Sequence, residues 1–203
     1  MSRRTLALFA VLALAFAILT GLAVRSGILA PPEQTAAVGG PFQLVDQSGR
    51  SVDQRLLKGK WSLVFFGFTY CPDACPTTLF ALGQAEKLLG ADAKDVQTVF
   101  ISVDPARDTV AQMATYVANE AYPKAVWGLT GTPAQVDAVA KAYHVYHQKA
   151  GEGPDYTVNH STITYLMNPQ GKFACVIRYG ETPEQLAAHI RAAKKQGPRA
   201  TSC

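Results

Sequence analysis

Charged residues are scarce in this chain, and no long stretch concentrates charge of one sign. Asp, Glu, Lys and Arg make up 17% of the 203 residues, and the formal net charge is +4. The basic residues are dispersed apart from a small cluster at Arg191, Lys194, Lys195 and Arg199, so the sequence shows no nucleic-acid-binding surface. We find no internal repeat. The 48% share of apolar residues predicts one ordinary folded domain rather than a disordered chain.

Charge is missing altogether from residues 6–24. As a helix this run would be about 28 Å long, close to the thickness of a bilayer's hydrocarbon core. Arg3 and Arg4 precede it and only Arg25 follows, so the positive-inside rule keeps residues 1–5 in the cytoplasm and the rest outside. The alternative is a cleaved signal peptide, for which Gly21 to Ala23 has the required form. Either arrangement places the cysteines where disulfides persist.

The remaining chain alternates strand and helix signals. We expect a flexible linker over 25–40, a domain over 41–197 and a C-terminal tail over 198–203. Apolar runs over 62–68 and 96–102 predict two buried central strands. Together with a late antiparallel hairpin, the pattern predicts an α/β sandwich of the thioredoxin type, a mixed sheet flanked by helices. The other expected elements are a hairpin over 42–53, a strand over 125–129, hairpin strands over 161–167 and 172–179, and helices from Pro76, over 108–119, over 132–143 and from Thr182.

Cys71 and Cys75 lie between the first central strand and the helix that begins near Pro76. Exposed amides and the helix dipole at this place stabilise a thiolate. Three interpretations compete: a structural disulfide, a redox couple and part of a metal site. A disulfide across so short a loop would stabilise the fold by only about 2 kcal/mol.

The redox interpretation fits the strand–loop–helix placement but not the spacing. Thioredoxin-type redox motifs have two residues between their cysteines, whereas 72–74 makes three. A peroxidatic cysteine would follow Thr or Ser by three residues, and Phe68 and Pro72 stand at those positions.

For a metal site, the small number of cysteines limits the choice. Zinc or an iron–sulfur cluster usually needs four protein ligands. We expect Cys175 to be a small buried residue of a strand, and Cys203 to lie in a mobile tail. Two thiolates and one imidazole suit copper. His160, in the loop before the late hairpin, can reach both thiols; the histidines expected to be structural or surface residues are His144, His147 and His189.

Three motifs, GFTYCPDACPTTL at 67–79, SVDPARDT at 102–109 and VNHSTITYLM at 158–167, resemble signature blocks of the Sco/SenC family. The resemblance implies a thioredoxin-fold copper protein anchored in a bacterial inner membrane, with its domain in the periplasm. It implies one copper ion, Cu(I) or Cu(II), bound by Cys71, Cys75 and His160. The implied role is assembly of the dinuclear copper centre of cytochrome c oxidase, with the copper-bearing subunit as partner and an upstream copper donor and a thiol reductant beside it.

Two residues depart from the family pattern, since His is frequent at Tyr70 and Asp at Asn159. Neither is a ligand, so the departures concern only the surroundings of the site. Asp73 has two open roles, as a cap or as a residue that tunes the thiolates. The residues that we expect to brace loops and cap a helix, with a docking surface as the alternative, are Asp104, Arg107 and Asp108.

Three functions stay open at this point. A metallochaperone that delivers copper is favoured over an enzyme. Alternatively, Cys71 and Cys75 act as a thiol–disulfide oxidoreductase without stable copper binding. A copper sensor that delivers nothing is the third hypothesis.

Overall fold

The computed structural model describes residues 3–25 and 38–203, and the chain divides into two units, Met1–Ala36 and Ala37–Cys203. The first unit contains helix α1, Arg3–Arg25. Within the described ranges, no helix has both the length and the hydropathy that a membrane span requires, so the predicted anchor over 6–24 is not confirmed. The predicted linker over 25–40 lies mostly outside the described residues.

The strands of the second unit are β1 Gln43–Asp46, β2 Ser51–Asp53, β3 Trp61–Gly67, β4 Val96–Ser102, β5 Val126–Thr130, β6 His147–Ala150, β7 Thr157–His160, β8 Thr164–Met167 and β9 Phe173–Ile177. Seven of them form a mixed central sheet in the order β2-β1-β5-β4-β3-β8-β9. Strands β3, β4 and β5 are parallel, while β8 pairs with β3 and β1 pairs with β5 in the antiparallel sense. The predicted mixed α/β sandwich is therefore confirmed.

The two central strands end side by side, and this places two of the three motifs together. All residues of β3 and of β4 are buried, because helices cover both faces of these parallel strands. Neither strand therefore shows the alternation of apolar and polar residues that is typical of a half-exposed strand. Gly67 at the end of β3 pairs with Ser102 at the end of β4. The loops that follow, 68–73 and 103–109, therefore leave the sheet at the same edge.

Two helices begin where their Thr-Pro capping signals predict, whereas the first two helices of this unit begin two residues before and two residues after the predicted positions 76 and 108. Helices α4, Pro133–Ala142, and α5, Pro183–Gln196, each open with a threonine that forms a capping box with a glutamine. Helix α3 is Val110–Val117, capped by Thr109, and helix α2 is Ala74–Leu89. Short 3₁₀ helices follow β2 and α2, at Gln54–Leu57 and Gly90–Asp95.

The helical spacing predicts one buried face of α2, formed by Leu79, Leu82, Ala85, Leu88 and Leu89. Four of them are buried, but Leu88 is exposed. At about 100° per residue, nine residues bring Leu88 to the side of the helix opposite Leu79. The buried face packs on the sheet together with α5.

Strands β6 and β7 form a separate two-stranded antiparallel sheet in which His147 pairs with His160. The sequence did not predict this hairpin, and His160 is the last residue of β7 rather than a loop residue. Only Val158 is buried in either strand, so no apolar alternation marks the hairpin.

Cys175 and Cys203 form a disulfide with a Cα–Cα distance of 5.9 Å. The prediction of a mobile tail around Cys203 is wrong, because Ala200 is buried and its carbonyl accepts a hydrogen bond from the Asn168 amide. The prediction of Cys175 as a buried core residue is also wrong. A register shift in the β8–β9 pairing skips Ala174, and Ala174 takes the buried place while Cys175 is half-buried.

Candidate metal centre

The two cysteines of the first motif lie at the entrance to α2. Cys75 is in the first turn of the helix and is fully buried, whereas Cys71 is half-buried in the preceding loop. The backbone N–H of Cys75 donates to the Cys71 sulfur at 3.4 Å. The positive end of the helix therefore faces the Cys71 sulfur and favours its thiolate form. Neither residue forms a disulfide in this structure.

The two thiols shift each other's pKa in opposite directions. A hydrogen bond from the Cys75 side chain lowers the pKa of Cys71 to about 5, with further help from backbone N–H groups. The same interaction, together with burial, raises the pKa of Cys75. Cys75 therefore keeps its proton, and the Cys71 sulfur carries the negative charge at neutral pH.

The imidazole of His160 faces these sulfurs with a lone pair. Its Nε2 is 3.6 Å from the Cys75 sulfur, and its Nδ1 is 2.8 Å from the carbonyl oxygen of Ser161. Because a carbonyl oxygen can only accept, Nδ1 of the neutral ring carries the hydrogen and Nε2 is free to bind a metal. Phe65 and Phe68 contact the ring edge-to-face. Hydrogen bond and aromatic contacts together fix the ring's orientation.

The predicted trio is thus brought together. The sulfurs of Cys71 and Cys75 and a ring nitrogen of His160 all lie within 4.8 Å of one another. Such a spacing can close around a single ion. Two soft sulfurs and one imidazole fit copper, which accepts few ligands, better than a magnesium or calcium ion, which prefers oxygen. That these residues bind metal stays a prediction.

The other histidines and cysteines lie outside this cluster. His147 pairs with Asp137 at 3.3 Å, and His189 pairs with Glu181 at 2.9 Å. His144 lies in the turn after α4 with φ 56°. Cys175 and Cys203 are joined to each other.

Asp108 braces the loop that carries Cys71. Its buried carboxylate accepts hydrogen bonds from the Thr69 hydroxyl at 2.7 Å, from the Thr69 N–H at 3.2 Å and from the Ser102 hydroxyl at 2.6 Å. Burial raises the pKa of this carboxyl despite those donors. The cap of α3 is Thr109, whose side chain accepts from the Gln112 N–H. Asp108 therefore braces the loop and does not cap the helix.

The remaining motif residues lie around the rim. Asp73 is exposed and makes no capping hydrogen bond to the backbone, but it accepts one from the Thr77 hydroxyl at 3.2 Å. Tyr70 is exposed beside Arg107, and Asn159 pairs with Gln148 in the β6–β7 hairpin. Tyr156 at the rim was not singled out in the sequence, since it belongs to none of the three motifs.

Comparison with known proteins identifies the family. The model of the SCO1/SenC family matches residues 30–195. The chain belongs to the SCO1/SenC family. Among its relatives, Protein SCO1 homolog 1, mitochondrial, from Arabidopsis thaliana is 46% identical over 154 residues, which cover 75% of this chain and 45% of that protein. Protein SenC from Rhodobacter capsulatus is 43% identical over 157 residues, 77% of this chain and 70% of that protein.

The chain spans about half the length of its mitochondrial SCO1 relatives from Arabidopsis thaliana and Homo sapiens. Solved structures confirm the thioredoxin-like Sco fold. ScoI from Bradyrhizobium japonicum, solved with copper bound, is 43% identical with a TM-score of 0.70, covering 77% of this chain and 99% of that one. BsSco, described as a member of the Sco family of cytochrome c oxidase assembly proteins with a disulfide switch, is 26% identical with a TM-score of 0.60, covering 79% and 95%.

Proposed function

We propose that this SCO1/SenC protein binds one copper ion through Cys71, Cys75 and His160 and takes part in assembling the dinuclear copper centre of cytochrome c oxidase. The observation that carries the proposal is the cluster of two sulfurs and one imidazole nitrogen within 4.8 Å. Its support outside the chain is a family member of the same fold that was solved with copper bound.

The site offers an order in which copper could be handed over. Cys75 is fully buried, whereas Cys71 and His160 are half-buried. Ligands of an incoming acceptor therefore replace Cys71 and His160 first, and Cys75 leaves the ion last. Soft thiolates favour Cu(I), and the imidazole lets the site accept Cu(II) as well.

The acceptor in this proposal is the copper-bearing subunit of the oxidase, with an upstream copper donor and a thiol reductant as further partners. Bacterial relatives such as Protein SenC support a bacterial protein. Anchoring by residues 6–24, a linker over 25–40 and a periplasmic domain over 41–197 stay predictions from the sequence. Their support is the uncharged run between Arg4 and Arg25.

Copper titration of His160 variants tests the proposed site. The full chain, titrated with Cu(I) without oxygen against a competing chelator, should bind one ion. Losing an outer partner of a metal ligand typically costs about 10–100-fold in affinity, so His160→Ala should cost at least the upper end of that range. His189→Ala, which removes a histidine from α5, is the matched control and should leave the affinity unchanged. Equal affinity of the His160→Ala variant and the wild type would exclude the three-ligand site.

Disulfide reduction by the same cysteines is the second candidate, favoured by the low pKa and partial exposure of Cys71. The Cys71 thiolate would attack a disulfide of the acceptor and release one acceptor thiolate. The released acceptor thiolate would take the Cys75 proton, and the Cys75 thiolate would attack the Cys71 sulfur of the mixed disulfide and release the other acceptor thiolate. Two electrons pass to the acceptor, and a Cys71–Cys75 disulfide remains. His160→Ala separates the two candidates, because it should abolish copper transfer and leave this exchange largely intact.

Copper sensing without delivery is distinguished by deleting the gene. Delivery predicts a loss of oxidase activity that added copper restores in part. A sensor that delivers nothing predicts normal oxidase activity.

A further inference from the structure

Arg107 lies among groups from three different segments. Its Nε donates to the Asp104 carboxylate at 2.6 Å, and both side chains are largely buried. Its guanidinium carbon lies 3.6 Å from the ring centre of Tyr156 and 4.8 Å from that of Tyr70. Its Nη1 donates to the Pro154 carbonyl at 3.3 Å. The arginine therefore contacts the Cys71 loop, its own loop and the β6–β7 hairpin.

Asp104 closes this arrangement from the other side. The Tyr156 hydroxyl donates to the second Asp104 oxygen at 2.6 Å, so one carboxylate binds both the arginine and the tyrosine that the arginine covers. We call Arg107, Asp104 and Tyr156 the Arg107 clamp. A guanidinium over an aromatic face is attracted by the ring, and more strongly where water is excluded.

The clamp sits next to both ligand-bearing segments. Tyr156 immediately precedes β7, whose last residue is His160. Tyr70 immediately precedes Cys71. Phe68, whose ring lies 5.8 Å from the Arg107 guanidinium, also contacts the His160 ring edge-to-face. Movement at the clamp would therefore be passed to the imidazole and to the loop sulfur.

The hairpin needs such an external contact. A single two-stranded hairpin is at best marginally stable in water, and among the strands that the structure describes β6 pairs only with β7. Next to His160 the two strands are joined by hydrogen bonds between Tyr146 and Ser161, and Val158 packs in the core cluster that contains Phe68. At its other end the contacts described above come from Arg107 and Asp104.

We propose that Arg107 is a positioning residue of the metal centre, holding the hairpin that carries His160 against the loop that carries Cys71. The inference rests on the proposed copper function. It assigns to Arg107 a positioning role that is separate from the metal binding of the three ligands. Asp104 orients the guanidinium, and the guanidinium in turn fixes Tyr156 and the start of β7.

The test combines Arg107→Met with His160→Ala. Arg107→Met keeps an unbranched apolar stem and removes the charge and the planar guanidinium group. We expect the full chain to bind one Cu(I) about 10-fold more weakly, in the range seen when an outer partner of a metal ligand is lost. In the His160→Ala background, Arg107→Met should have a much smaller effect on affinity, because only the contact with the Cys71 loop is then lost. Arg107→Lys, which keeps the charge but not the planar guanidinium group, should fall between the wild type and Arg107→Met.

Arg50→Met is the matched control. Arg50 also pairs with a buried aspartate, Asp46, at 2.9 Å and lies 6.0 Å from the ring centre of Trp127, but it is in the β1–β2 turn. The Arg50→Met variant should therefore bind copper with wild-type affinity. Tyr156→Leu, which removes the stacked ring and leaves the Arg107–Asp104 pair, should repeat the effect of Arg107→Met and serves if that variant fails to fold.

Amide hydrogen exchange of the copper-free chain gives an independent readout. Residues 156–160 should exchange several-fold faster in Arg107→Met and at the wild-type rate in Arg50→Met. Unchanged affinity and exchange, or an Arg107→Met effect of equal size with and without His160, would overturn the inference. If the wild type binds no copper, the proposed function fails, and hydrogen exchange still decides whether Arg107 holds the hairpin.

Discussion

The half-buried sulfur of Cys71 has a strongly lowered pKa. Its pKa of about 5 comes first from the Cys75 thiol, which donates to it, and then from backbone N–H groups. Its neighbour Cys75 has a raised pKa and keeps its proton. The pair therefore presents one thiolate to a metal or a disulfide before either arrives.

Alkylation of Cys71 should follow this lowered pKa. Because only the thiolate reacts, the iodoacetamide rate at Cys71 should rise through about pH 5 and be flat at pH 7 and above. Cys75→Ala removes the donor, so it should move the midpoint toward higher pH. Peptide mass spectrometry distinguishes Cys71 from the buried Cys75. A midpoint near 9.0, the ordinary value, would contradict the thiolate assignment.

Gly67 leaves room for the buried sulfur. A Cβ at this position would lie 2.6 Å from the Cys75 sulfur and 2.7 Å from the Phe100 ring. Gly67→Ala should therefore displace the sulfur, weaken Cu(I) binding and lower the free energy of unfolding by about 1–3 kcal/mol, the usual cost of overpacking. Gly40→Ala, whose Cβ would meet the Ala142 side chain at 3.4 Å and nothing nearer among the described residues, is the control for urea unfolding and titration. Equal results for the two variants would rule out this packing argument.

Strands and helices differ in how visibly the sequence encodes them. The continuous apolar runs of β3 and β4 predict buried central strands, and Thr132 and Thr182 each precede a proline where a helix begins. The β6–β7 hairpin could not be predicted in this way. Its position depends on contacts of Arg107 and Asp104, which are distant in sequence, and its own residues carry no apolar alternation.

The loop between β3 and α2 depends on Asp108 in the next βα connection. Asp108→Asn keeps the shape but replaces one acceptor oxygen with a donor group. Since Thr69 and Ser102 would lose a partner, we expect about 1–3 kcal/mol lower stability in urea and faster hydrogen exchange at residues 68–71. Asp92→Asn is the control, because Asp92 is a half-exposed partner of Lys194 and Arg191, and surface pairs contribute about 0–1 kcal/mol. Loss of stability without faster exchange at 68–71 would refute the bracing role.

For the molecule as a whole, the sequence predicted the layers of the fold and the meeting of Cys71, Cys75 and His160, but not the C-terminal disulfide. Two features of the sequence led to the wrong predictions for Cys175 and Cys203. The register shift interrupts the alternation of β9 at Ala174. No local sequence pattern predicts this shift. The polar composition after residue 197 suggests mobility, whereas Ala200 packs in the core cluster with Ala174 and Ile190.

Removing this disulfide should change stability without changing the metal centre. The bridge closes a separation of 28 residues, for which chain entropy gives about 3–4 kcal/mol. Cys203→Ser should therefore lower the free energy of unfolding under non-reducing conditions by up to that amount, with one Cu(I) bound at wild-type affinity. Adding Cys175→Ser should cost little more, since the bond is already absent. A weakened copper site in Cys203→Ser would show that the two cysteine pairs are coupled.

The central claim is that two sulfurs and one imidazole meet on one copper ion. X-ray absorption spectroscopy of the Cu(I)-loaded full chain tests it most directly, because sulfur and imidazole scatter differently around copper. We predict two sulfur ligands and one imidazole in the wild type, and in His160→Ala the two sulfurs alone. A spectrum without imidazole scattering, or one that His160→Ala leaves unchanged, would contradict the account.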